Sequence, residues 1–154
     1  MNNSCQCKYL TGHERRVFLS IADCVIPPDK ESPGAGDMHT VGIADWALGR
    51  MPADLRTRFL LFIMIVEIMG IFFGGKPFTK NSAKAKDRQL RWMESGPIRV
   101  FRMGFFGLKN YVCMGYYTRE NIWQQIGYDG PGVPDQPYPD PVIRGICQGS
   151  VRVR

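Results

Sequence analysis

The chain has 154 residues, 44% of them hydrophobic, and a formal net charge of +6 at pH 7. This length suits one domain with a single core, and the apolar content excludes a globally disordered chain. The five cysteines are scattered, which excludes a compact disulfide scaffold; we expect free or buried thiols, with pairing to another chain as the alternative. The positive charge leaves an acidic protein surface, nucleic acid and anionic lipid open as partners.

The first predicted element is a helix over residues 12–25. Thr11 and Glu14 have the spacing of a capping box, in which each side chain can bond the backbone amide of the other residue. Two prolines at 27–28 end the helix, because proline cannot donate a backbone hydrogen bond. The predicted apolar face is Val17, Phe18, Ile21, Ala22 and Val25.

The same segment also has features of a twin-arginine export signal, since Arg15 and Arg16 precede an apolar stretch. Three features oppose that interpretation. Glu14 lies against the arginines, Asp23 interrupts the apolar stretch, and no small-residue cleavage site follows. The pattern therefore favours a structural helix.

Helical periodicity continues along the chain, and we find no internal repeat and no convincing pair of strands. Ser82 and Thr118 are predicted to cap the starts of two helices, and Gly127 to end the last one. We therefore predict an all-α fold, a small irregular helical domain of about five or six helices. The predicted later helices lie at about 40–49, 52–72, 83–94, 97–114 and 119–126.

The longest apolar run is FLLFIMIVEIMGIFFGG, residues 59–75. It approaches the length of a membrane span, but Glu67 and three glycines argue against a span. A helix that is apolar all round must be covered on all sides, and a small domain has difficulty in doing that alone. The run is the first indication of a large partner.

The end of the chain has a different composition. Residues 128–154 contain five prolines, which exclude a helix and disfavour a central strand. This segment is either disordered or laid along a surface, and we favour an extended C-terminal arm at 132–154 that lies along a partner. The remaining predicted parts are a helical domain at 10–131 and an N-terminal extension at 1–9.

The sequence contains no dinucleotide fingerprint, phosphate-binding loop or paired Cys-x-x-Cys motif. The only histidines, His13 and His39, lack a supporting catalytic pattern. Glu67 is a candidate acid because of its apolar surroundings, but a carboxylate paired with an arginine or facing a wet interface is the simpler interpretation. We therefore predict no catalytic, cofactor-binding or metal site in this chain.

Residues 76–109 contain nine lysines or arginines, with aromatic residues between them. A nucleic-acid-binding protein can have this pattern, and a stand-alone nucleic-acid binder is the alternative function. Helical spacing explains the pattern more simply, as a charged face opposite a buried aromatic face.

The order of several short motifs resembles a known family. LTGHERR at 10–16, IADCVIP at 21–27 and PGA at 33–35 are similar to the start of the small-subunit (subunit 3) family of gluconate 2-dehydrogenase. GYYTRENIWQQIGYDGP at 115–131 resembles the closing signature of that family. Between residues 40 and 110 the chain resembles the family only in being helical.

The resemblance implies a non-catalytic subunit that binds a large flavoprotein of the glucose-methanol-choline (GMC) oxidoreductase class. In that family the large subunit holds FAD and oxidises an alcohol, a sugar or a related substrate, while the small subunit supports its folding, stability and sometimes export. The small subunit itself holds no cofactor. The implied partner-contacting residues are Tyr116, Tyr117, Trp123, Tyr128 and Pro131, to which the apolar run adds Phe62, Val66 and Met69.

Some members of the family carry a twin-arginine signal ahead of the Leu-Thr landmark, whereas only nine residues precede Leu10 here. We therefore expect a cytoplasmic complex, or a periplasmic one if the partner carries the export signal or the sequence has been trimmed at its start.

Overall fold

The computed structural model describes residues 7–10, 12–30 and 32–128, and within these ranges it contains α-helices, one 3-10 helix and no strand. The all-α prediction is confirmed. The predicted arm at 132–154, Pro131, the capping residue Thr11 and most of the extension at 1–9 lie outside the described residues. The elements are α1 Gly12–Val25, α2 Met38–Arg50, α3 Ala53–Gly74, the 3-10 helix Phe78–Lys80, α4 Ala83–Ser95, α5 Arg99–Tyr117 and α6 Glu120–Gln125.

The predicted helix bounds are accurate for α1 and α4. The Ser82 side chain accepts a hydrogen bond from the amide of Ala85, as predicted for the cap of α4. The start of α2 at residue 40 was wrong, because Asp37 caps the helix by accepting from the amide of Thr40 at 3.0 Å. These differences arise where a side chain other than the expected one satisfies the first free amides of a helix.

The predicted Thr118 cap was also wrong. The N-cap of α6 is Arg119, and it makes no side-chain capping bond. The Thr118 hydroxyl instead donates to the carbonyl of Gly115 at 3.1 Å, near the end of α5. α5 consequently extends to Tyr117, three residues beyond the predicted end at 114.

α1 is the central helix of the domain. It contacts α2, α3, α4, α5 and the 3-10 helix. Four of the five residues on its predicted apolar face are fully buried, and Val25 is half-buried. This confirms the structural helix at 12–25, because its side chains form the middle of the core. The buried four are Val17, Phe18, Ile21 and Ala22.

α2 and α5 form the most extensive helix pair. A Cβ atom at Gly115 of α5 would lie 2.7 Å from the Cα atom of Thr40 of α2, so the glycine permits the close approach of the two helices. The segment before α1 is tied to the same pair. The carboxylate of Asp45 accepts from the amides of residues 8–10 at 2.6–2.8 Å, which attaches the last residues of the predicted N-terminal extension to the domain.

Candidate partner-binding surfaces

Among the residues that the structure describes, none covers the outer side of α3. Leu61, Ile68 and Phe72 are 58%, 57% and 85% exposed, and Ile71 is also exposed. We call these four residues the α3 strip. On the opposite side of the helix, Ile63, Val66 and Gly70 are buried against the core. Isolated exposed apolar residues are common, but several of them on one side of a helix form a candidate surface for contact with another molecule.

By length and composition, α3 is the single helix in the described part of the chain that could cross a membrane. It has 22 residues, a mean hydropathy of 2.0 in its most apolar 18-residue window, and only 22% of that window is buried. Its low burial distinguishes it from an ordinary core helix, which has a similar composition but is mostly covered.

Glu67 does not interrupt the α3 strip, because its side chain faces inward and is 5% exposed. Its carboxylate accepts from the amide of Thr79 at 2.9 Å and from the Thr79 hydroxyl at 2.7 Å. The Nε2 atom of His13 lies 3.7 Å from the same carboxylate. The predicted alternatives, an arginine partner or a wet interface, were wrong: the partners are a threonine and a histidine.

The position of Thr79 depends on Gly70. A Cβ atom at Gly70 would lie 2.2 Å from the backbone nitrogen of Phe78, so only glycine lets the 3-10 helix approach α3. Asn81 holds the same segment by donating to the carbonyl of Gly70 at 2.7 Å. This close approach brings the two donors of Thr79 to Glu67 and allows a charged residue within an apolar helix.

The three α3 residues assigned to the partner by sequence lie on other sides of the helix. Val66 is fully buried in the core of this chain, so it is inaccessible to a partner in this conformation. Phe62 is half-buried, with its ring against Gly104 and its centroid 6.2 Å from that of Phe101. Met69 is half-buried against the core. The exposed strip is a different set of residues, missed because a helix that is apolar all round has no polar side from which its orientation can be read.

The closing signature forms a second surface around α6. Tyr128 and Ile126 are 47% and 57% exposed, and Tyr117 is also exposed. The Trp123 ring is half-buried and packs edge-to-face on Tyr128 with centroids 5.6 Å apart, while its Nε1 donates to the carbonyl of Tyr117. We call Tyr117, Trp123, Ile126 and Tyr128 the α6 surface. Tyr116 is buried and contacts Ser32 through its hydroxyl, so it serves the fold.

An open cavity of about 320 Å³ lies in the α6 surface. Its lining combines apolar rings with hydrogen-bonding side chains, as partner-binding sites commonly do. The lining residues are Glu120, Trp123, Gln124, Gly127 and Tyr128.

Arg119 fixes α6 to the rest of the domain. Its buried guanidinium donates to the carbonyl of Gly34 at 3.1 Å, to Asp37 at 2.7 Å and to the hydroxyl of Thr40 at 2.8 Å. These bonds join α6 to the 32–37 loop and to the start of α2. Sequence reasoning missed this residue, since an arginine at a helix start gives no local sign that it is buried.

The basic stretch at 76–109 does not form one continuous aromatic and basic surface. Of its aromatic residues, Phe78 and Phe105 are buried and only Phe106 is largely exposed. Several of its cations are engaged within the domain: Lys86 with Ser20, Arg88 with the Phe73 carbonyl, Arg91 with Asp87, Arg102 with the Gly96 carbonyl, and Lys109 with Glu94. The burial of these rings and the engagement of these cations within the domain fit a solvated helix face better than a nucleic-acid-binding site.

His39 occupies the first turn of α2, not a loop as the sequence indicated, and is buried. Burial lowers its pKa, and the neighbouring Arg119 lowers it further, so both effects favour the neutral ring. Its Nε2 atom lies 3.3 Å from the hydroxyl of Thr118. Within the described ranges, no group of three or more His, Cys, Asp or Glu residues is arranged to hold a metal ion.

None of the protein-family models, curated proteins or solved structures compared with this chain matches it. The resemblance to the gluconate 2-dehydrogenase small subunit therefore rests on the motifs at 10–35 and 115–131 alone.

Proposed function

We propose that this chain is a non-catalytic subunit of an FAD-dependent oxidoreductase complex, in which it binds and stabilises a larger flavoprotein of the GMC class. The main observation in support of this proposal is the α6 surface. The residues that resemble the family's closing signature include two exposed tyrosines and a tryptophan, held on a short helix beside an open cavity.

The chemistry of the α6 surface supports this assignment. Tyrosine and tryptophan provide large apolar contacts with little loss of side-chain entropy, and both can add a hydrogen bond at the edge of an interface. Arg119 fixes the helix that carries them, so little ordering is required when a partner binds. In this proposal, Pro131 and the arm at 132–154 continue the contact from Tyr128.

FAD and the substrate belong to the larger chain in this proposal. The flavin oxidises an alcohol, a sugar or a related substrate, and the small subunit contributes stability rather than a reacting group. Two groups that could have suggested catalysis have structural roles within this domain: Glu67 is hydrogen-bonded by Thr79, and His39 is buried beside Thr118.

The test is to purify this chain by a tag from the cells that produce it naturally, and to record a visible spectrum of what is purified with it. We expect a yellow complex with a larger chain and a flavin spectrum. A colourless lone protein, together with a flavoprotein that is soluble and active without it, would contradict the proposal.

A matched pair of variants locates the contact. Ile126→Glu introduces a carboxylate in the α6 surface, and Asn110→Glu makes the same charge change at an exposed position of α5. Ile126→Glu should weaken the complex by about tenfold or more, because it places a charge in an apolar contact. Asn110→Glu should leave the affinity unchanged. Equal affinities for the two variants would remove the α6 surface from the interface.

A further inference from the structure

The α3 strip differs in chemistry from the α6 surface. Between Phe59 and Phe73 the only ionisable or hydrogen-bonding side chain is Glu67, and its carboxylate is occupied inside the domain. The helical hydrogen bonds satisfy most backbone groups of the same segment, and the carbonyls of Val66, Gly70 and Phe73 also accept from side chains of the domain. A protein interface normally carries about one hydrogen bond per 100–200 Å². The side chains of the strip offer no hydrogen-bonding group, and contact with the hydrocarbon of a lipid bilayer requires none.

Basic residues lie around the C-terminal end of α3. A shallow cavity at the C-terminal end of α3 is lined by Phe73 and Gly74 together with Lys84, Arg88 and Arg91. Arg88 also donates to the carbonyl of Phe73, and the exposed Lys76 follows the helix directly. The cavity's one acidic residue, Asp87, is paired with Arg91 at 2.8 Å. The end of the apolar strip therefore lies next to a positively charged cluster.

We propose that the α3 strip lies in the surface of an anionic lipid bilayer, with the helix axis parallel to the membrane plane. The outer side chains enter the acyl boundary to a depth of about 5–10 Å, as in other interfacial helices. Lys76, Lys84 and Arg88 contact the headgroup phosphates. The inference goes beyond the proposed function, because it uses a surface that the flavoprotein contact at α6 leaves open.

The packing of α3 decides between lying on a bilayer and crossing one. The inner side of the helix contacts α1, α4 and the 3-10 helix, and it carries the buried Glu67. A spanning orientation would separate these elements and expose the carboxylate to hydrocarbon, which is strongly unfavourable. One covered side and one apolar side fit a helix at the interface.

The test is flotation of the full chain, alone and in complex with the flavoprotein, with vesicles of equal parts phosphatidylcholine and phosphatidylglycerol. We expect the protein to float with these vesicles and more weakly with phosphatidylcholine alone. Ile68→Glu should reduce the vesicle-bound to free ratio by about tenfold or more, since a carboxylate replaces an apolar group in the lipid. Lys76→Glu combined with Lys84→Glu should remove the preference for phosphatidylglycerol.

Ile126→Glu is the matched control, because Ile68 and Ile126 are both 57% exposed and receive the same substitution. It should float like the unmodified chain while its affinity for the flavoprotein falls, and Ile68→Glu should show the reverse. Unchanged flotation of Ile68→Glu, or no flotation of the unmodified protein, overturns the inference. If the unmodified chain does not float and Ile68→Glu no longer binds the flavoprotein, the strip is instead part of the flavoprotein contact. If the unmodified chain floats but binds no flavoprotein, the proposed function is contradicted and the membrane inference is supported.

Discussion

α1 and α3 are both rich in apolar residues, yet they use them differently. α1 places its apolar residues on one side, and four of them fill the centre of the domain. α3 has apolar residues on every side, so the same domain covers only one of them. The apolar side of α1 is covered within the domain, whereas part of the apolar surface of α3 stays exposed. This excess, and not apolar content as such, makes the outer side of α3 a candidate surface for contact with another molecule.

The largest expected effect on stability comes from a substitution in α1. Phe18 is fully buried at the centre of α1, and Phe18→Ala removes a whole phenyl ring from a packed core. We expect a loss of about 3–5 kcal/mol in the free energy of unfolding. Urea unfolding followed by circular dichroism measures it. A loss close to zero would show that α1 is not the centre of the core.

An intermediate effect is expected where α3 meets the 3-10 helix. Gly70→Ala would place a Cβ atom 2.2 Å from the backbone of Phe78, which must move away and take Thr79 from Glu67. We expect a loss of about 1–3 kcal/mol in the same unfolding measurement. Gly107→Ala is the control, because a Cβ atom there meets nothing within 4 Å. The control should gain roughly 0.5–1 kcal/mol, since alanine is the better helix former.

The smallest effect on stability is expected on the outer side of α3. Phe72 is 85% exposed, so Phe72→Ser should change the free energy of unfolding by less than about 0.5 kcal/mol. The same change should raise the solubility of the lone chain, because it removes the most exposed ring of the strip. Light scattering of the two proteins at equal concentration measures this. Strong destabilisation by Phe72→Ser would mean that the strip is covered by the chain itself.

Local patterns predicted most of the helices. The bounds of α1 follow from a helical apolar face that ends at two prolines, and the start of α4 follows from the Ser82 cap. Both signals act over a few residues. The predicted Thr118 cap failed because Thr118 bonds backward to Gly115. A threonine hydroxyl can hydrogen-bond the backbone of the helix before it or of the helix after it, and the local sequence does not distinguish the two.

The two candidate surfaces were predictable to different degrees. For the α6 surface, the closing signature named Tyr117, Trp123 and Tyr128, which lie together around α6, and Tyr116, which faces inward. For α3, the sequence named the helix but chose Phe62, Val66 and Met69, none of which is in the exposed strip. Adjacent residues on a helix point about 100° apart, so an apolar run without polar positions leaves its outward side undefined.

The sequence by itself determined that the chain is helical, where α1 and α4 begin and end, and that α3 is too apolar for a small domain to cover. These properties depend on side-chain periodicity, caps and prolines, all of which act over short distances. Only the tertiary structure decided which side of α3 remains open, that Glu67 is satisfied by Thr79, and that Arg119 holds α6. Each of these depends on residues more than ten positions apart in the chain, which are brought together by packing around α1.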